Sequence, residues 1–254
     1  MNNGELRKDP RKDNPMNNSI KLGVIVLLAL GLGACSSGPS GSQSETNTNS
    51  AVTKAGSTPA AANSKTQSVP AELMNAGEYG ENIYDYAKAN DWKKADVKVA
   101  ALKEATKKVR AEVKNQSKNI DGLEADVAAL DRAVTAKDRQ ATAVAANQIT
   151  RDVAEMTTAY KVIVPVEVVL LDYYGRELEI WAEAKDASKL QATAREMRKT
   201  WNAVRPSIEA KNSAVTKKFE GLVAQVEAAK APADYAKVAK PVLDEVDNLE
   251  KVFE

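Results

Sequence analysis

Val164-Pro-Val-Glu-Val-Val-Leu-Leu-Asp-Tyr-Tyr-Gly-Arg-Glu-Leu-Glu-Ile-Trp-Ala-Glu-Ala-Lys-Asp186 decides the fold, because it echoes an earlier stretch of the same chain. Ninety-five residues upstream, Val69-Pro-Ala-Glu72, Tyr79-Gly80 and Ala87-Lys-Ala89-Asn-Asp91 keep the same order and spacing. Eight of these 23 aligned positions are identical, where average residue usage gives roughly one or two. The same offset pairs Lys94 with Lys189 and Val109-Arg110 with Val204-Arg205. Near the ends, Ile149, Val153, Met156 and Tyr160 have the spacing of Val242, Val246, Leu249 and Phe253. The chain therefore reads as two copies of one module, 69–163 and 164–254, a duplication that is silent about chemistry.

Within each copy the apolar residues step by three and four. Trp92, Ala95, Val99, Leu102, Thr106, Val109 and Val113 do so in the first, and Ala187, Leu190, Ala194, Met197, Trp201, Val204 and Ile208 in the second. That period puts each set on one face of a helix, facing a core. Asp91 and Asp186 stand just ahead of these stripes, where a side-chain oxygen can accept from the free amides of the first turn. Ile120, Leu123, Val127, Leu130 and Val134 mark a third helix, answered by Val215, Phe219, Leu222 and Val226. A fourth starts near Asp138 in copy one and at Pro232 in copy two, where the missing amide hydrogen of proline costs little. Pro241 falls inside that last helix and predicts a kink.

The expected fold is thus all-α, a tandem duplication of an antiparallel four-helix bundle module with eight helices in total. A three-helix, spectrin-like module competes, because the heptad phase of the first copy runs on through Gln116 into Ile120. A break is favoured: Asn115, Ser117, Asn119, Asp121 and Gly122 cluster there, with Asn212-Ser213 in the second copy, and these residues suit turns and caps. The two first helices differ. Leu73–Glu78 is moderately apolar, whereas Val162–Leu171 is apolar almost all round, which predicts burial on several sides and a place where the modules meet. A membrane span there is too short and is broken by Pro165 and Glu167.

Composition narrows the chemistry. The chain has 36 basic and 35 acidic residues, so no global field favours nucleic acid. It has no histidine, and its one cysteine is Cys35, which excludes histidine triads, histidine or thiolate metal sites and disulfides. All twelve aromatic residues lie between Tyr79 and Phe253, which places the folded part after a leader.

Lys21 precedes an apolar run from Leu22 to Ala34, too short to span a hydrocarbon core of roughly 30 Å and suited to a signal peptide. It ends in Leu32-Gly33-Ala34-Cys35, which resembles the lipobox of bacterial lipoproteins. The resemblance covers residues 16–35 and implies that residues 1–34 are a signal peptide and that Cys35 is the acylated first residue of the mature chain. Residues 1–15 are then an upstream extension, or they precede a true start at Met16. Residues 35–68 are rich in Ser, Gly, Thr and Asn and bury too little to order themselves, a tether with an r.m.s. span of roughly 30 Å. The resemblance further implies an extracytoplasmic address, on the outer face of the cytoplasmic membrane or, as Ser36 suggests for a host with two membranes, in the outer membrane.

Candidate site residues are few. Glu72 and Tyr79, and their counterparts Glu167 and Tyr174, share a helix face two turns apart. A glycine follows each tyrosine; it marks either a close helix approach or a notch of ligand size. Asp172 and Arg176 form an ordinary (i, i+4) ion pair, and Trp92, Trp181 and Trp201 belong to the core by spacing. No cofactor or metal site is expected, since a bundle di-iron site needs Glu-x-x-His and no calcium loop is present. Thin bundles without His or free Cys make poor enzymes, so catalysis is not expected. Two functions remain: a membrane-tethered interaction or scaffold module contacting an envelope protein, or a small-molecule- or cofactor-binding lipoprotein with its site between the two repeats.

Overall fold

A computed structural model describes residues 67–113 and 117–254. The expected signal peptide, Cys35 and the expected tether as far as residue 66 lie outside the described residues.

Eight helices follow one another: α1 (Ala71–Lys88), α2 (Trp92–Glu112), α3 (Ser117–Thr135), α4 (Arg139–Thr157), α5 (Val166–Ala184), α6 (Ala187–Glu209), α7 (Ser213–Ala228) and α8 (Pro232–Lys251). Among the described residues there is no strand, only an isolated bridge between Ser68 and Lys161. The helix starts are fixed by the side chains the sequence offers. Asp91 accepts from the Lys94 amide at 3.2 Å, Asp138 from Ala141 at 2.9 Å, Asp186 from Lys189 at 3.0 Å and Asn212 from Val215 at 3.2 Å. Each such cap contributes about 1 kcal/mol. Pro232 opens α8, as its fixed φ allows.

The separation of α2 from α3 holds, but its position differs from the expectation. Asn119, Asp121 and Gly122 lie inside the first turns of α3, because Ile120 and Leu123 are buried there and draw the segment into register with the core. Burial of two large side chains outweighs the roughly 2 kcal/mol in total by which Asn119, Asp121 and Gly122 disfavour a helix. Likewise Val162–Val164 stay outside α5, which starts after Pro165, and Ile163 is left exposed. The α8 helix runs continuously through Pro241, and α6 through Pro206.

The helices lie in one compact unit. Helix α1 packs on α2 and α4, and α3 on α2 and α4; α5 packs on α6 and α8, and α7 on α6 and α8; α4 also meets α5. Two clusters of buried residues result. Leu73, Ile83, Leu102, Leu123 and Ile149 belong to the first, and Leu171, Leu178, Trp201, Phe219 and Val242 to the second. Helix α5 serves both: Ile180 is in the first cluster, Leu178 in the second, and Trp181 touches each. No residue of α5 from Val166 to Ala182 is exposed, as its all-round apolar sequence predicts. Of the three tryptophans only Trp201 is fully enclosed, against Phe219 with ring centroids 4.8 Å apart; Trp92 and Trp181 are half-buried.

Candidate functional site

Glu72 and Tyr79 stand on α1, Glu167 and Tyr174 on α5. Glu72 binds Lys108 Nζ of α2 at 2.7 Å and accepts from Asn75 at 3.3 Å. Lys108 first, and then Asn75, hold its carboxyl below the usual carboxylate range. Tyr79 packs on the first cluster with Lys98 Nζ 4.8 Å from its ring centroid. Glu167 is half-buried in the first turn of α5, where the amide ends of the helix favour a negative charge. Tyr174 meets Tyr173 edge-on at 5.2 Å, and burial raises its phenol against an opposing hydrogen bond with Thr200.

The glycines beside the tyrosines are filled notches. A Cβ on Gly80 would lie 3.1 Å from the Ala146 carbonyl oxygen and 3.1 Å from Ile149 Cγ2. One on Gly175 would lie 2.6 Å from Leu243 Cδ2 and 3.4 Å from Val242 Cγ1. Each glycine therefore lets its helix approach a neighbour closely, α1 to α4 and α5 to α8. Four clefts among the described residues, about 270 to 390 Å³ in volume, are lined by none of Glu72, Tyr79, Glu167 and Tyr174.

Polar chemistry gathers instead between α1 and α5. Arg176, only 8% exposed, reaches Asp172 at 2.6 Å and Glu81 of α1 at 3.3 Å. Burial works against its charge, but Asp172, Glu81, Asp85 and Tyr84 together raise its pKa above the ordinary guanidinium value. The pair expected as an ordinary (i, i+4) ion pair is thus formed, as part of a buried network. One turn on, Tyr84 donates its hydroxyl to Glu179 at 2.7 Å, and Lys88 pairs with the same carboxylate. Burial, then Asp172 and Glu81, push the nearby Glu250 carboxyl of α8 up to about 8. Glu81 and Arg176, and Tyr84 and Glu179, each stand 95 residues apart, at matching positions of the repeat. Comparison of the two copies for opposite or complementary side chains at one position is the sequence signal that marks them.

A second cluster lies where α4, α5 and α6 converge. Glu177 accepts from Tyr173 at 3.0 Å, Trp181 Nε1 at 3.1 Å and Thr193 at 2.9 Å. Beside it Asn147, buried on α4, donates to the Tyr173 carbonyl at 3.0 Å, while its own Oδ1 has no protein donor. Asn147, Tyr173, Glu177 and Trp181, with Arg151 and Lys189, line the cleft of about 270 Å³.

Among the described residues no group of three carboxylates or other ligands is arranged to hold a metal ion, and no helix is long and apolar enough to cross a membrane. Glu177 and Glu179 are each engaged by two or more donors that fix them in place. Comparison with family models, with curated proteins and with solved structures finds no match.

Proposed function

We propose that this chain is a lipid-anchored, extracytoplasmic protein whose folded part is a tandem pair of antiparallel four-helix modules, serving the cell envelope as an interaction or scaffold module. The observation that carries the reading is the use made of the residues shared by both copies. The two glycine notches are closed by α4 and α8, and Glu72 is held by Lys108. Positions shared by both copies thus serve packing, which suits a protein that works by presenting a surface. The bonds Glu81 to Arg176 and Tyr84 to Glu179 join matching positions of the copies, as happens near the axis of an isologous dimer. This supports a fused pair that behaves as one body on its tether. The lipobox resemblance at Leu32–Cys35 supports the anchor, and the anchor supports a membrane address, outer if the host has two membranes.

The test is photo-crosslinking in intact cells from probes placed at exposed positions such as Val97 and Ile163. A discrete envelope-protein adduct from one face, lost when the chain is released from the membrane, is expected. Uniform absence of adducts from every face contradicts the scaffold reading. The cleft beside Asn147, with its unpartnered buried oxygen, favours a second reading, a small-molecule site between the copies. That reading predicts a co-purifying compound released on denaturation and lost in Asn147→Leu.

A further inference from the structure

The two halves differ most sharply where α3 meets α4 and where α7 meets α8. Leu123, Val127, Leu130 and Val134 step along α3 as Val215, Phe219, Leu222 and Val226 do along α7. Asp126 therefore stands where Lys218 stands. By the same token Asp152, one residue before Val153, matches Glu245, one residue before Val246. In the second half the pair is a salt bridge: Glu245, 2% exposed, is ion-paired with Lys218 and also accepts from Asn248 at 3.0 Å. In the first half an acid has replaced the lysine. The Asp126 carboxyl lies within hydrogen-bonding reach of Asp152, whose enclosed Oδ2 has no donor.

Two carboxylates cannot bond to each other; two carboxyl groups holding one proton can. Two cations of α2 are engaged elsewhere. The Lys103 ammonium of α2 is held by Asp131 at 2.8 Å, and Arg110 by Asp121 and Glu124. On α4 itself Gln148 donates to the other oxygen of Asp152 at 2.8 Å, Arg151 is turned to Glu155 at 2.8 Å, and Glu155 adds negative charge. Helix α1 meets this part of α4 with Gly77 against Val153, and α5 meets it with the Tyr173 ring under Arg151. Burial, then Asp126, push the Asp152 carboxyl up to about 7 against the pull of Gln148.

We infer that the α3–α4 seam is a proton-operated latch, closed while one proton is held between Asp126 and Asp152 and loosened when that proton is lost. Helix α3 is the element it releases, since α3 packs on α2 and α4 at the edge of its half. The device goes beyond the scaffold role and does not depend on it. In a protein exposed to the medium it would tie the α3–α4 seam, and not its α7–α8 counterpart, to external pH.

Backbone hydrogen exchange on the full chain between pH 5 and 8, corrected for the intrinsic pH dependence of exchange, tests it. A proton bound in the closed seam and lost on opening makes the opening constant of α3 rise on the order of tenfold per pH unit up to about pH 7 and level off above about pH 8. Amides of α7 that exchange by local opening show no such slope, whereas those that need global unfolding follow the pH dependence of overall stability. Asp126→Lys, which installs the side chain of the second half, and Asp152→Asn each abolish the slope in α3. The reverse substitution, Lys218→Asp, confers it on α7. A flat α3 profile in the unaltered chain overturns the inference, and so does an unchanged slope in both Asp126→Lys and Asp152→Asn.

Discussion

Glu81 and Arg176, 95 residues apart in the chain, meet at 3.3 Å in the seam between α1 and α5, with Asp172 on the far side of the same guanidinium at 2.6 Å. A buried arginine between two carboxylates is a position where one partner cannot be removed cheaply, because the remaining charges stay desolvated. Arg176→Met leaves Glu81 and Asp172 facing each other and is expected to lower stability by roughly 3–5 kcal/mol. Tyr84→Phe, which deletes one hydrogen bond to Glu179 while Lys88 remains, is expected to lose about 1 kcal/mol. Urea unfolding midpoints check both, and equal losses would contradict the ranking.

The same seam gives stability a pH dependence. The Glu250 carboxyl is raised from 4.5 to about 8 in the folded chain, so the folded state binds more protons than the unfolded state between those values. The contribution of this group to stability therefore falls as pH rises from about 4.5 to about 8 and is level on either side. Glu250→Gln keeps the shape without the charge and is expected to stabilise the chain above pH 8 by as much as about 5 kcal/mol, with little effect below pH 4. The part of the decline that belongs to Asp152 persists in this variant. Unfolding midpoints between pH 4 and 9 measure the difference; identical profiles for variant and parent would refute it.

Gly80 and Gly175 are expected to respond differently to alanine, although they occupy matching positions. At Gly80 the added methyl meets a backbone carbonyl, Ala146 O at 3.1 Å, which cannot rotate away. Overpacking of this kind costs roughly 1–3 kcal/mol, more than the roughly 1 kcal/mol gained in helix propensity. At Gly175 the nearest atom is Leu243 Cδ2, the end of a flexible and only half-buried side chain. Gly175→Ala is expected to be close to neutral and Gly80→Ala destabilising, read by thermal melts of the two variants.

Lys185 closes α5 in the left-handed conformation, with φ of 56°. A residue with a Cβ is strained there by roughly 1 kcal/mol relative to glycine. Lys185→Gly is expected to raise stability by about that amount, as a shift in the urea midpoint without a change of slope.

The helices were legible because their signals are local. Stripes at three- and four-residue steps, the caps Asp91, Asp138 and Asp186 and the helix-opening Pro232 each act within a few residues of where they stand. The site was less legible, for a physical reason. Glu72, Tyr79, Glu167 and Tyr174 drew attention because the copies agree there, yet the adjoining glycines show that such agreement follows from a shared packing geometry. The special electrostatics arise where the copies disagree, at Glu81 against Arg176 and at Asp126 against Lys218. The contacts made there, Glu81 with Arg176, Asp126 with Asp152 and Lys218 with Glu245, join residues distant in sequence, and only the packed helices bring them within reach. Trp92 shows the complementary limit: it fits the apolar stripe, but as the first residue of α2 it is only half covered.

The central claim, a folded helical pair held at a membrane by acylated Cys35, is tested most directly by the intact mass of the chain recovered from the membrane fraction. The account predicts a polypeptide that begins at Cys35 and carries the added mass of fatty acyl chains, and a Cys35→Ser form that is released from the membrane with an unchanged melting temperature. An unmodified cysteine in a chain that still carries residues 16–34 would contradict it.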